Sequence, residues 1–163
     1  MSGSIQQLEG ANARGHSYAI CVARWNAEIT EPLLEGALSA LVAQGALRDD
    51  VKVHRCAGAF ELVGAASRLV ACGVDGVIAI GCLIKGDTDH YEYIAGPVSQ
   101  ALANLSGEAA VRTKPVALAF GLLTVRTLEQ ATVRAAPGSG NKGAEVALAC
   151  IEQVNLLRGI AHP

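Results

Sequence analysis

The chain has 163 residues, enough for one domain with a real hydrophobic core and too few for two. Its formal net charge is −2 and its 13 basic residues are scattered without interleaved aromatics, which argues against a nucleic-acid surface. Charged residues make up 17% of the chain, below the ~25% of an ordinary soluble domain, so much of the surface is expected to face other subunits.

Met1 to Gly15 is polar and lacks a signal peptide's apolar core, and residues 1–16 read as an N-terminal extension ahead of a single domain over 17–160. Ser17 to Ala23 is a short apolar run without helical period, a buried strand. Thr30 is placed to cap a helix with Pro32 in its first turn. Leu34, Ala37, Leu38 and Leu41 share one face of that helix, and Gly45 closes it. Val51 to Cys56 is a second strand, Gly58 a turn, and Phe60 to Ala71 a helix with Val63, Ala66 and Val70 on its stripe and Gly73 at its end.

Val74 to Gly81 is the third strand, followed by a loop to His90. There a helix opens with Tyr91, Ile94, Val98, Ala101, Leu102 and Leu105 at helical spacing. Val116 to Leu123 is the fourth strand. Thr127-Leu128-Glu129-Gln130 matches a capping box for a helix that stops near Ala135. After the breakers Pro137 to Gly140, Asn141 caps a last helix with Ala144, Ala147, Leu148, Ile151 and Val154 inward.

No apolar run approaches the roughly 20 residues that span a bilayer, so no membrane partner is expected. Five cysteines (Cys21, Cys56, Cys72, Cys82, Cys150) form no C-x-x-C pair and read as reduced thiols of a cytoplasmic protein. Strands alternating with helices imply a parallel sheet covered on both faces, and right-handed crossovers make it a flavodoxin-like, three-layer α/β/α sandwich of four strands. The turns near 24–28, 57–61, 81–90 and 121–126 should then share one edge, where ligands bind in such sheets.

The first turn carries Trp25, the only tryptophan, whose ring either stacks on a heterocycle or covers the edge of the core. In the second, Gly58 permits close backbone approach. Glu61 at the helix start either complements the helix dipole or accepts hydrogen bonds from ligand hydroxyls. The third supplies the charge of Lys85, the flexibility of Gly86 and the hydroxyl of Thr88, itself a possible helix cap. His90 follows in the first turn of a helix, where an imidazole can exchange a proton with a ligand at the strand ends; the alternative is a surface histidine without a role. Asp87 and Asp89 work against simple anion binding, and either face solvent or pair with Lys85 or Arg126.

A Cys82 nucleophile with His90 as base competes with the commoner reading of a small core thiol. The four histidines (His16, His54, His90, His162) lie far apart, so no metal site is expected. Neither a G-x-G-x-x-G fingerprint nor a Walker loop is present. Arg134 and Asn141-Lys142-Gly143-Ala144-Glu145 lie far along the chain from His90. In a ring of subunits they complete a neighbour's site; alone they are surface charges with a helix cap.

Taken in order, these motifs resemble the lumazine synthase family over about Ser17 to Arg158. The resemblance rests on Arg24-Trp25-Asn26, Ile29-Thr30, Leu34-Glu35-Gly36-Ala37, Gly58-Ala59-Phe60-Glu61 and Ile84-Lys85-Gly86 with Thr88 and His90-Tyr91. It continues through Leu123-Thr124 with Thr127, Glu129-Gln130-Ala131, Arg134-Ala135 and Gly140-Asn141-Lys142-Gly143-Ala144-Glu145. It implies condensation of 5-amino-6-ribitylaminouracil with 3,4-dihydroxy-2-butanone 4-phosphate to 6,7-dimethyl-8-ribityllumazine, a late step of riboflavin biosynthesis, with no metal or organic cofactor.

By the same resemblance Trp25, with Asn26 beside it, stacks on the pyrimidine, and Ala59, Phe60 and Glu61 hold the ribityl chain. Leu83 and Ile84 line the ring pocket. Lys85, Gly86, Asp87 (backbone) and Thr88 form the phosphate loop, with Arg134 from an adjacent subunit. His90 transfers protons, while Phe120, Lys142 and Glu145 complete the site across the interface. The chain departs from the family pattern at Trp25, usually phenylalanine and elsewhere linked with flavin binding when tryptophan, at Ala57 for proline, at Lys85 for arginine, and at Asp87 for a small residue. A non-catalytic binder that used Trp25 for stacking would not need His90, Arg134 and Lys142. The family assembles as pentamers, alone, paired or as a 60-subunit icosahedral capsid, so a pentamer-based homo-oligomer is expected.

Overall fold

The computed structural model describes residues 12–160. Residues 1–11 of the expected extension, and His162, lie outside the described residues. Ala13 is buried and its N–H donates to the Gln44 carbonyl at 3.0 Å, while Asn155 Nδ2 donates to the Asn12 carbonyl at 3.2 Å.

Four parallel strands, β1 (Tyr18–Ala23), β2 (Val51–Cys56), β3 (Gly76–Ile84) and β4 (Ala117–Val125), lie in the order β2-β1-β3-β4. Among the described residues five helices cover them: α1 (Ala27–Ala43), α2 (Leu62–Ala71), α3 (His90–Ala110), α4 (Leu128–Ala135) and α5 (Lys142–Gly159). A single 3₁₀ turn, Arg48–Asp50, leads into β2. The pleat sends Tyr18, Ile20, Val22, Ile78, Ile80 and Cys82 into a core with α1, α4 and α5. The alternate residues Ala19, Cys21, Val77 and Ala79 enter a second core against α2 and α3. With both faces covered, the central strands β1 and β3 read as unbroken apolar runs. The molecule is the flavodoxin-like three-layer sandwich its sequence predicts.

Element limits differ from the sequence reading where a local signal lost to tertiary contact. β3 runs to Ile84 instead of ending at Gly81. Its last four residues pair one to one with Leu122–Val125 of an equally prolonged β4. Gly81 is therefore a strand glycine: a Cβ there would come within 2.9 Å of Leu62 and Leu122 side-chain atoms. α1 begins after Asn26, not at Thr30. Asn26 takes the left-handed conformation (φ 60°, ψ 48°) and its carbonyl accepts from the Ile29 and Thr30 N–H groups. Thr30 instead donates its hydroxyl to the Ala23 carbonyl at 2.8 Å, inside the core.

α2 opens at Leu62, two residues beyond the predicted Phe60, because Gly58–Glu61 forms a closed turn first. The cap of α3 is Asp89, without a side-chain hydrogen bond, and not Thr88. The predicted caps Thr127 and Asn141 both hold, accepting from the Gln130 N–H at 3.2 Å and the Ala144 N–H at 3.0 Å. α1 and α5 touch closely at glycines: a Cβ on Gly36 would overlap the Asn141 side chain, and one on Gly143 the Leu33 carbonyl oxygen. Of the cysteines, Cys21, Cys82 and Cys150 are buried, Cys56 is half-buried and Cys72 exposed, and all five are free.

Candidate active site

In a sheet of this order the winding reverses between β1 and β3, which opens a crevice beyond their carboxyl ends. Three turns are tied together there. The Arg24 N–H donates to the Cys56 carbonyl at 2.9 Å and the Trp25 N–H to the Ala57 carbonyl at 3.1 Å, fixing the first turn on the second. Asn26 Nδ2 donates to the Cys82 carbonyl at 2.9 Å, fixing it on the third across the reversal point.

The Trp25 side chain is 68% exposed, a cost for so large an apolar ring, and its edge lies over Gly58. A Cβ on Gly58 would stand 2.9 Å from Trp25 Cε3 and 3.3 Å from Glu61 Oε2, so this position has room only for glycine beneath the indole. Glu61, at the N-cap position of α2, accepts the Gly58 N–H on Oε2 at 2.9 Å, and among the described residues Oε1 takes no protein donor. Ala59 is buried, while Phe60 and Glu61 are exposed. The indole and the Glu61 carboxylate thus meet over Gly58 on one rim, with Phe60 exposed beside them in the chain.

At the end of β3, Leu83 and Ile84 are half-buried, and every residue from Lys85 to His90 is exposed. The Lys85 N–H donates to the Val125 carbonyl at 2.9 Å, so the loop leaves the sheet at a fixed point. Lys85 Nζ lies 2.6 Å from Glu92 Oε1 in the first turn of α3. Hydrogen bonding and charge from Glu92 hold the Lys85 ammonium above its usual pKa, and Lys85 holds the Glu92 carboxyl below its own. Of the two alternatives for Asp87 and Asp89 the solvent-facing one holds: both are exposed, and among the described residues neither forms an ion pair with Lys85 or Arg126. His90 is the first residue of α3, beside the unpaired N–H groups of the helix start.

The Cys82 thiol is buried and desolvation, then Glu28, pushes its pKa up to about 11, so it offers no thiolate near neutrality. Its contribution to the rim is its carbonyl.

Four predicted residues stand apart within one chain. Phe120 lies mid-strand on the edge strand β4, opposite Ala79, and is 45% exposed. Arg134 Nη1 donates to the Gln130 carbonyl of its own helix at 3.0 Å, and Lys142 Nζ meets Glu145 Oε2 at 2.6 Å. α4 and α5 cover the sheet face opposite α3. Among the described residues no hydrogen bond or ion pair joins these four to the three-turn cluster.

Sequence reasoning missed the partners that set the cluster: the Cys82 carbonyl, Thr30 as a clasp, and Glu92. Only Glu92 had a signal, an acid in a predicted first helical turn within reach of the preceding loop's lysine.

The family model described as 6,7-dimethyl-8-ribityllumazine synthase matches residues 15–158. Similar curated proteins bear the same name. The Myxococcus xanthus protein is 46% identical over 140 residues, 85% of this chain and 84% of that one. One from Anaeromyxobacter dehalogenans is 45% identical over 149 residues, covering 91% and 89%. The Chlorobaculum tepidum protein is 40% identical over 156 residues, covering 94% and 97%.

Proposed function

The chain belongs to the 6,7-dimethyl-8-ribityllumazine synthase family, and from that membership we propose how its own residues carry the reaction. It is a transferase of riboflavin biosynthesis that condenses 5-amino-6-ribitylaminouracil with 3,4-dihydroxy-2-butanone 4-phosphate to 6,7-dimethyl-8-ribityllumazine. The observation that carries the reading is the exposed Trp25 indole held over Gly58 beside Glu61 at the strand-reversal crevice.

The pyrimidine ring stacks on the indole, with Asn26 beside it and with Leu83 and Ile84 lining the opposite wall. Ala59, Phe60 and Glu61 hold the ribityl chain, Glu61 accepting hydroxyls on the oxygen that Gly58 leaves free. The phosphate rests on the backbone of Gly86 and Asp87 and on the Thr88 hydroxyl. Because Lys85 already pairs with Glu92, the strong countercharge is assigned to Arg134 of a neighbouring subunit. Phe120, Lys142 and Glu145 of that neighbour close the pocket, which agrees with their distance from the cluster within one chain.

The chemistry is addition of an amine to a ketone, loss of phosphate, ring closure and loss of water. Each step moves protons and none needs a strong nucleophile. Holding both substrates in register supplies much of the acceleration, and His90 gives and takes the protons.

The assembly is read as pentamer-based, with the 60-subunit shell as its larger form. Tyr93, Val111 and Val133 support it as large apolar side chains that are 75%, 85% and 66% exposed in the single chain. A reducing, cytoplasmic location agrees with five free thiols.

Mixing the protein with both substrates and following lumazine fluorescence tests the reading. The wild type should form product. His90→Ala should turn over about tenfold more slowly or worse, at nearly unchanged pyrimidine affinity. Wild-type silence from well-folded protein would sink the function, and an unimpaired His90→Ala would sink the proton-transfer role.

A further inference from the structure

Among the residues of the crevice, Asn26 is peculiar in that both its backbone and its amide are committed inside the protein. Its φ of 60° is the only positive value at a non-glycine residue among those described. A left-handed backbone costs a residue with a Cβ about 1–2 kcal/mol, and asparagine tolerates it better than most. The surroundings hold it there: the Asn26 carbonyl accepts from the Ile29 and Thr30 N–H groups, and the Thr30 hydroxyl clasps the Ala23 carbonyl. The side-chain nitrogen must be the end that faces Cys82, because a carbonyl there can only accept.

We propose that Asn26 is a positioning residue for pyrimidine binding: its Nδ2 bond to the Cys82 carbonyl and its left-handed backbone lock the Trp25 platform onto the end of β3 before substrate arrives. Trp25 enters α1 through this one residue, and Leu83 and Ile84 follow Cys82 directly. The bond therefore fixes the spacing between the stacking ring and the wall opposite it. Cutting it releases the turn from β3 and leaves the Arg24 and Trp25 N–H bonds to the second turn as its remaining anchors, while the fold, held by Thr30 and the strand ladder, stays intact. The inference rests on the pyrimidine being bound at Trp25.

Asn26→Gly keeps the positive φ and removes the amide, which separates positioning from backbone strain. The Michaelis constant for the ribityl pyrimidine should rise roughly tenfold while that for the butanone phosphate and kcat stay within about twofold. The chain has one tryptophan, so its fluorescence reports this ring alone. Trp25 anisotropy in the ligand-free variant should fall, a change that general destabilisation of a still-folded protein would not produce. Asn26→Asp, which keeps the shape but points a carboxylate oxygen at the Cys82 carbonyl, should show the same split and serves if the glycine variant does not fold. Unaltered anisotropy and pyrimidine constant in a folded variant would overturn the proposal, as would a fall in kcat with both Michaelis constants unchanged. Failure of the wild type to form lumazine would instead strike the underlying function, so the two failures are distinguishable.

Discussion

Trp25 and Gly58 show how a single missing methyl can serve binding. The ring can lie close over the turn because Gly58 carries no Cβ, so the indole rests on backbone. Gly58→Ala should therefore push the ring outward. We expect pyrimidine affinity, read by quenching of Trp25, to fall about tenfold. The obstructing atoms belong to the exposed side chains of Trp25 and Glu61, which have solvent to shift into, so stability should change by less than about 1 kcal/mol. Unchanged affinity would mean that the ring's seat on Gly58 is immaterial to binding. The residues of this rim were legible in the sequence, since a lone tryptophan, a glycine and an acid follow two strands at matching places. Asn26 was legible only as a residue type. Its left-handed backbone and its bond to Cys82, 56 residues away, arise from the strand order, which no local period encodes.

At the scale of elements, the opposite edge of the sheet is held by charge. Asp75, ahead of β3, is buried and accepts from the Ser17 N–H at 2.7 Å and the Ser17 hydroxyl at 3.1 Å. Arg158 near the end of α5 lies 2.7 Å from its other oxygen, with Lys114 at 3.6 Å. Burial works to raise this carboxyl's pKa, but the Ser17 and Arg158 bonds outweigh it and hold the value below the usual range. A depressed carboxyl contributes stability that is present above its unfolded pKa, about 4, and is lost as pH falls through the lower folded value. Asp75→Asn should cost about 3 kcal/mol near neutrality. Its stability should also be flatter than the wild type's below about pH 4, as urea titrations at several pH values would show. Parallel titration curves for the two proteins would contradict this. The strands and helices this clasp joins were read from the sequence in the right order, but the end of β3 was not. Gly81 reads as the strand's last residue, but pairing with Leu122–Val125 carries the strand on to Ile84.

For the whole molecule, one chain holds only part of the proposed site. Its crevice presents an indole, a carboxylate, an exposed loop and His90. The cations assigned to phosphate and closure lie on α4 and α5, on the sheet face opposite α3, and are tied to their own helices. Sequence order could not reveal that separation, because it requires the crossovers that send α3 to one face and α4 and α5 to the other. The proposed site is therefore a property of the interface between copies. Its most direct measurement is co-assembly of two variants, His90→Ala and Arg134→Ala, each slowed about tenfold or more alone. In rings of randomly mixed subunits about one interface in four would pair an intact His90 with an intact Arg134. Co-expressed variants should recover roughly a quarter of wild-type lumazine formation per subunit. Recovery no greater than that of the two variants assayed separately and averaged would contradict a shared site.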